Sequence, residues 1–310
     1  MNRIRAVVWL IAIVACSVIY AQSEAEKVGN HLQNCSVTIK KGYSDRGSGT
    51  IVTRLVEGEK ANFVITAHHV VEDLRVVKTV VTPDGDKKEQ VTYRDVELLQ
   101  EKIDESTGER VGQTTMIARV VSVDCAKDIA LLRVRAKNWK DVSIVFHEGN
   151  RIPSAGMQVI HCGSPGGQEI GAASVLHGNL ARVGCRIEEF SREPFDQVSC
   201  PGLPGSSGGM VTTADGKWIG MITLGLRGAD SFHWMVPLRV VRKWAKEVKC
   251  EWLFAPDGKT TEAALKKVPL ENARPGFAAH EAKLNPTPAV RERRDIGHEP
   301  AQWQRDRLQR

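Results

Sequence analysis

Short apolar runs alternate with glycine- and proline-containing turns over most of this chain. The clearest of these runs lie at residues 35–39, 62–66, 116–121, 129–134, 158–161, 210–213 and 218–223. Each has the length of a single strand, and turn residues recur between them at roughly ten-residue spacing. Short strands with such punctuation are typical of a β-barrel or a β-sandwich, so the pattern predicts an all-β fold.

Two segments have the period of a helix instead. Residues 24–34 predict a short helix ahead of the first strand. After Pro237, apolar residues recur every three to four positions, which predicts a closing helix over residues 237–249. Residues 84–115 are charged and less periodic, and they predict an elaborated hairpin or a surface excursion.

The N-terminus has the pattern of an export signal. A basic start at Arg3 and Arg5 precedes an apolar run over residues 6–21, which is short for a membrane span. We therefore predict a signal peptide at residues 1–21 and an exported protein, periplasmic or secreted. Two alternatives remain: a lipidated Cys16, or an uncleaved N-terminal anchor.

The C-terminal composition changes beyond Phe254. Prolines and charges become frequent and large apolar residues become rare, which predicts a disordered tail over residues 255–310. The net charge of +6 is modest. The arginines of the tail lack interleaved aromatic residues, so we expect a solvated tail and no nucleic-acid partner.

Six cysteines remain if Cys16 leaves with the signal peptide. An even number in an exported chain permits disulfides, and some of these residues are expected to be buried thiols. The spacing contains no C-x-x-C pair, so we expect no metal site, and nothing in the chain predicts a cofactor.

Candidate chemistry concentrates in three segments. Residues 201–210 pack four glycines and two serines between apolar runs, which suits either a tight turn or a nucleophile beside an oxyanion pocket. Upstream, His68 and His69 follow one apolar run and Asp128 precedes another. A serine nucleophile needs a base and an acid, and the order His, Asp, Ser is a known triad order.

These segments resemble the motifs of the trypsin-like (chymotrypsin-fold) serine proteases, closest to the HtrA/Deg branch. T-A-x-H-V at 66–70, D-I-A-L-L at 128–132 and G-x-S-G-G at 205–209 carry the resemblance, with flanking matches at 162–167 and 235–237. It covers about residues 35–250 and includes no PDZ domain.

The resemblance implies a protease domain at 28–250 with two six-stranded antiparallel β-barrels, at about 35–140 and 150–236. It also implies the roles of individual residues. Ser207 would be the nucleophile, His69 the general base and Asp128 the acid that orients it. The N–H groups of Gly205 and Ser207 would form the oxyanion hole, and Thr223, Leu224 and Gly225 would bind substrate.

Other residues of the same types compete for these roles. The motif register favours His69 over His68, and the two glycines that follow Ser207 favour it over Ser206. Asp124 lacks a following apolar strand and is expected to be a solvated turn residue. His161 and His177 are expected to be surface or second-shell residues.

The leading hypothesis is an exported serine endopeptidase that uses an acyl-enzyme route in protein quality control or processing. Its partners would be polypeptide substrates, with a preference for small or medium apolar residues before the scissile bond. Membrane contact would be limited to the N-terminal segment. The alternatives are a catalytically silent protease-fold binding protein and an interaction protein that works through its basic tail. Ser206 stands where digestive relatives have aspartate, so no zymogen latch is expected.

Overall fold

The structure is a computed structural model of the 310-residue chain. It describes residues 23–41, 44–104, 107–137, 139–148, 153–187, 191–225 and 231–272. The expected signal peptide and the arginine-rich part of the tail lie outside the described residues. In the part of the chain that the structure describes, no helix is both long and apolar enough to cross a membrane.

Strands and short helices follow one another along the chain. The strands are β1 (Ser36–Lys41), β2 (Ser44–Val56), β3 (Glu59–Thr66), β4 (Arg75–Val81), β5 (Lys87–Tyr93), β6 (Val96–Ile103), β7 (Arg110–Asp124), β8 (Ile129–Val134), β9 (Val145–Phe146), β10 (Gln158–Gly163), β11 (Ser174–Ile187), β12 (Ser191–Val198), β13 (Met210–Thr213), β14 (Lys217–Gly225), β15 (His233–Pro237) and β16 (Lys259–Thr260). The helices are α1 (Glu24–Cys35), α2 (Gln168–Gly171), α3 (Leu238–Glu247) and α4 (Glu262–Leu265).

The first barrel contains six antiparallel strands in the order β1-β6-β7-β8-β3-β2, and pairing of β1 with β2 closes it. Closure removes the free strand edges that an open sheet would expose. Alternate residues point inward, and Ile39, Ile51, Val64, Leu98 and Leu132 fill the interior.

The second barrel has the order β13-β10-β11-β12-β15-β14 and closes through β13 and β14. Val159, Val198, Val211, Ile222 and Met235 pack inside it. The prediction of two six-stranded antiparallel barrels is therefore confirmed. One short parallel strand also pairs with each barrel, β16 with β2 and β9 with β14.

A third apolar cluster joins the two barrels. Phe63 and Ile65 from β3 and Met221 from β14 pack here, together with the fully buried rings of Trp218 and Trp244. Trp244 belongs to the predicted closing helix, α3, which buries one face. The predicted N-terminal helix also forms as α1, and its Leu32 packs into the same cluster.

The prediction that disorder begins at residue 255 is wrong for residues 255–272. This segment crosses back over the first barrel, where Thr260 pairs with Val56 and the N–H of Val123 donates to Leu270 O at 2.9 Å. Leu265 is buried and Leu270 packs on the barrel core. These few apolar anchors and the backbone hydrogen bonds outweigh the polar composition.

Residues 84–115 are only partly the surface excursion that the sequence suggested. β4 and β5 form a separate two-stranded hairpin. β6, however, is a barrel strand, and its Val96, Leu98 and Leu99 are buried. Charged residues at the other positions of β6 and β7 obscure the apolar pattern, so the sequence did not predict this barrel strand.

All six cysteines in the described residues are buried and free. The expectation of buried thiols therefore holds for this structure, and the disulfides that the even number permitted do not form in it.

Candidate active site

His69 and Asp128 meet where two paired strands end. His69 lies in a short 3-10 turn directly after β3, and Asp128 directly precedes β8. β3 and β8 pair through Thr66 and Ala130, which brings both segments to one end of the barrel. Asp128 Oδ2 lies 2.9 Å from His69 Nδ1, and Oδ1 accepts the His69 backbone N–H at 2.9 Å.

The surroundings of Asp128 keep its carboxylate ionised. The side chain is fully buried, and burial by itself would raise the pKa. The neighbouring charge of His69 and hydrogen bonds from His69 and Thr223 outweigh that cost and lower the pKa below its ordinary value. A carboxylate at Nδ1 holds the proton there and leaves Nε2 of His69 as the basic nitrogen. The His69 side chain is 16% exposed, so solvent and ligands can reach it.

Thr223 links Asp128 to Ser207. Its hydroxyl donates to Asp128 Oδ2, and its carbonyl accepts the Ser207 hydroxyl at 3.4 Å. The register of β14 and β15 shifts between Ile222 and Leu224, so Thr223 lies in a β-bulge. Such a bulge re-aims a residue away from the ladder. The sequence predicted Thr223 as substrate-binding only, and its contact with the acid was missed.

The loop that carries Ser207 depends on its glycines. Gly205 has φ +101° and Gly208 has φ +81°, a region that side chains disfavour. A Cβ at Gly205 would lie 2.4 Å from Ser164 O, and one at Gly208 would lie 2.2 Å from Ser48 O. Neighbouring backbone therefore packs directly against the loop and holds its shape.

Two N–H groups of this loop have no acceptor in the part of the chain that the structure describes. Within the described residues, the N–H groups of Gly205 and Ser207 donate to no backbone or side-chain atom. Pro204 O accepts the N–H of Gly166 at 2.8 Å. Because the peptide bond is trans, this contact turns the Gly205 N–H to the opposite side. Both groups remain available to a ligand oxygen.

Ser48 is a further residue of the site that sequence reasoning missed. Its N–H donates to Ser207 O, its hydroxyl donates to Gly205 O and accepts from the Ser164 N–H, and each distance is 2.7 Å. The sequence around it, Gly47-Ser48-Gly49, matches none of the catalytic motifs. The flanking glycines were the available signal, because a Cβ at Gly47 would lie 2.7 Å from Ser207 O.

The structure gives other environments to the four residues that competed with these assignments in the sequence. His68 is buried, and within the described residues its Nδ1 has no hydrogen-bond partner. The expectation that Asp124 is solvated is wrong, because it is fully buried and accepts from Lys127 and Asn272. His161 is buried beneath the nucleophile loop with Nδ1 3.0 Å from Met210 O, and His177 is exposed on β11.

The site combines the groups that acyl transfer to a serine requires. Among the described residues, no three His, Cys, Asp or Glu side chains come together as a metal site. The arrangement instead offers a hydroxyl, an oriented imidazole, a buried carboxylate and two open N–H donors, which are the groups that serine peptidases use.

Comparison with known proteins defines the class. The family model of the trypsin-like peptidase domain matches residues 47–221, more than half of the chain. The chain therefore belongs to the trypsin-like peptidase family, a family of serine endopeptidases. Its similarities lie on the HtrA branch, as the sequence motifs predicted.

Individual relatives are distant. The HtrA-like serine protease of Staphylococcus epidermidis is 25% identical over 233 residues, which are 72% of this chain and 34% of that protein. This chain thus spans about a third of the length of that relative. The solved HtrA-type protease AlgW with tripeptide gives a TM-score of 0.53 at 17% identity, covering 73% of this chain and 64% of AlgW. The crystal structure of Deg5 gives 0.51 at 17% identity, covering 76% and 96%. Both support the fold.

Proposed function

We propose that this chain is an active serine endopeptidase that cleaves polypeptides through an acyl-enzyme. The observation that carries the proposal is the contact of Asp128 with the backbone N–H and with the ring Nδ1 of His69, and the link from Asp128 through Thr223 to Ser207. The family match supports the reaction class.

The reaction would begin at Ser207. Its Oγ attacks the carbonyl carbon of the scissile peptide bond while its proton moves to Nε2 of His69. Asp128 stabilises the imidazolium and keeps the ring oriented. The developing oxyanion accepts hydrogen bonds from the N–H groups of Gly205 and Ser207, whose donors have no other partner in the described chain.

Collapse of the tetrahedral intermediate breaks the C–N bond. His69 gives its proton to the departing amine, which leaves an ester on Ser207. Water then attacks the ester, passes a proton to His69, and the acid product leaves as the proton returns to Ser207. Each half-reaction therefore uses the same imidazole, first as base and then as acid.

Substrate would bind as an added strand along residues 223–225. Gly225 is exposed at the end of β14, and Thr223 O already faces Ser207. An extended peptide at this edge would present its scissile bond to the nucleophile. We further propose that the enzyme is exported, since residues 1–21 have the composition of a signal peptide, and that it acts on proteins in quality control or processing.

A fluorescent organophosphonate tests this proposal directly, because it reacts only with an activated serine. The wild type should be labelled, Ser207→Ala should not, and the matched control Ser174→Ala in β11 should be labelled like the wild type. Asp128→Asn should label far more slowly, since it loses the tautomer control. Equal labelling of wild type and Ser207→Ala would contradict the assignment, and an unlabelled wild type would favour the silent binding protein.

A further inference from the structure

A cavity of about 450 Å³ lies between helix α1 and residues 140–142, in the segment that leads from the first barrel to the second. This volume is typical of a small-molecule site. The polar residues that line the cavity are Lys27, Asn30, His31 and Asn34 of α1, with Lys140 and Asp141 opposite. None of them belongs to the site around Ser207.

One face of α1 forms the first wall. Positions three and four apart lie on the same side of a helix, so the four lining residues of α1 form one polar face. The opposite side buries Leu32 in the apolar cluster between the barrels. The side chain of Gln33 donates to Ala173 O at 3.1 Å, and Asn34 O accepts from Gln100. These contacts fix the helix against both barrels.

The facing segment forms the second wall and is held by β2 and β3. The amide of Asn62 in β3 donates to Lys140 O at 3.0 Å and accepts the Lys140 N–H at 3.2 Å. The hydroxyl of Thr53 in β2 donates to Val142 O. The backbone on this side of the cavity is therefore fixed independently of α1, and both walls keep their positions without a ligand.

The charges that line the cavity leave one cation without a counter-ion. The ammonium of Lys27 is paired with Glu24 at 2.7 Å, and the carboxylate of Asp141 is paired with Lys60 at 2.5 Å. Within the described residues, the ammonium of Lys140 has no hydrogen bond and no ion pair, although the residue is partly buried. A positive charge that is partly withdrawn from water and not neutralised by the protein favours an anion beside it.

The two asparagine side chains add directional hydrogen-bonding groups. In the part of the chain that the structure describes, the amides of Asn30 and Asn34 form no hydrogen bond. Each amide offers two N–H donors and one oxygen acceptor, which suits hydroxyl groups as well as a carboxylate. Burial lowers the pKa of His31, so its ring is neutral at neutral pH and adds no charge to the cavity.

We propose that this cavity binds a small organic acid that carries one carboxylate and several hydroxyl groups. The carboxylate pairs with Lys140, and the hydroxyl groups exchange hydrogen bonds with Asn30 and Asn34. The single uncompensated charge selects a monoanion, whereas a phosphate monoester carries nearly two negative charges at neutral pH. This inference goes beyond the proposed peptidase function and does not depend on it, because the two sites share no residue.

The test compares each of two hydroxy acids with the alcohol in which a hydroxymethyl group replaces the carboxylate: gluconate with sorbitol, and glycerate with glycerol. Binding is followed through the ring signals of His31 in proton–carbon NMR spectra of the Ser207→Ala chain, which cannot digest itself. The His31→Gln variant identifies these signals. We expect saturable shifts with gluconate and an affinity about 10- to 100-fold higher than for sorbitol, the range of a hydrogen bond to a charged group.

Variants locate the anion in the cavity. Lys140→Gln should lower the affinity for gluconate to about that for sorbitol, and Asn34→Ala should weaken the binding of both. Lys137→Gln is the matched control, because Lys137 pairs with Glu59 and does not line this cavity. It should keep the wild-type affinity. If Lys140→Gln fails to fold, the comparison of each acid with its alcohol in the unmodified cavity still decides the matter.

Three results would overturn the proposal. The first is equal binding of the acids and their alcohols, or no saturable shift with either. The second is an affinity for gluconate that survives in Lys140→Gln or is lost equally in Lys137→Gln. The third is tighter binding of inorganic phosphate than of gluconate, which would contradict the choice of a monoanion. Labelling of Ser207 by the organophosphonate is measured separately, so none of these results bears on the proposed peptidase.

Discussion

The hydroxyl of Ser48 donates a hydrogen bond of 2.7 Å to the carbonyl oxygen of Gly205. The contact joins β2 of the first barrel to the loop that carries Ser207 in the second. The same hydroxyl accepts the N–H of Ser164 at 2.7 Å, and Thr66, three residues before His69, donates to Ser48 O at 2.7 Å. The position of the nucleophile relative to the base therefore depends on one buried serine between the barrels.

Removing this hydroxyl should slow catalysis more than it weakens binding. Ser48→Ala leaves Gly205 O and the Ser164 N–H unpaired in a buried site, a cost of about 1–3 kcal/mol. We expect kcat to fall about 10-fold or more with little change in KM, as measured with a peptide substrate.

The matched control is Thr50→Val, two residues along the same face of β2. Within the described residues, the buried Thr50 hydroxyl has no hydrogen-bond partner, so its loss should leave kcat unchanged. If kcat falls equally in both variants, any substitution in this part of β2 impairs the enzyme. That result would contradict a specific role for the Ser48 hydroxyl.

The Thr223 hydroxyl should matter through Asp128. Thr223→Val keeps the shape and the carbonyl contact with Ser207 but removes the hydroxyl that helps lower the pKa of Asp128. We expect kcat to fall about 10-fold, consistent with loss of one hydrogen bond to a buried charge. Thr223→Ser should restore the rate. If Ser behaves like Val, packing rather than the hydroxyl is responsible.

Stability should fall in mild acid because of His161. Burial lowers the pKa of His161 to about 4 from its ordinary value of 6.5. A histidine with a depressed folded pKa gains its proton first in the unfolded chain, so its stability contribution is intact above pH 6.5 and is lost as the pH falls towards 4. At about 1.4 kcal/mol per pKa unit, the loss approaches roughly 3 kcal/mol.

Denaturant unfolding at several pH values between about 4 and 7 measures this slope. His161→Gln, which retains a donor for Met210 O, should be less stable at neutral pH and should show a flatter pH dependence. The exposed His177→Gln variant should keep the wild-type slope. An unchanged slope in His161→Gln would contradict the assignment.

Residues 269–272 should stabilise the turn at residues 124–127, which directly precedes Asp128. Asn272 donates to Asp124 at 2.9 Å, and Asp124 caps the N–H of Lys127 at 3.0 Å, directly before Asp128. Glu271 accepts hydrogen bonds from Arg75 and Tyr93. Truncation after Val268 should therefore lower the free energy of unfolding by about 2 kcal/mol and reduce kcat several-fold.

Truncation after Asn272 is the control, because it keeps every contact named above. Thermal unfolding and kcat of this variant should match those of the full chain. If the shorter variant, which ends at Val268, also matches the full chain in both measurements, residues 269–272 do not stabilise the site.

The strands and the candidate site were predictable to different extents. Strand periodicity and the glycine-rich loop are local features, so the two barrels and the segments around His69, Asp128 and Ser207 could be predicted from the sequence. The role of Asp124 could not, because its burial depends on Asn272, 148 residues away. β6 could not be predicted for the same reason. Its charged residues are visible in the sequence, whereas the barrel core that buries its apolar face forms only in the tertiary structure.

By itself, the sequence determined the strand pattern, the closing helix and the three motifs, since each of these depends on residues that are neighbours along the chain. Only the tertiary structure decided which groups surround them. Ser48 reaches Gly205 across the barrels, Thr223 turns to Asp128 through a β-bulge, and His233 lies between Gly202 and Gly225. Each relationship depends on strand register and barrel closure, which bring distant residues within hydrogen-bond distance and leave no signature in the local sequence.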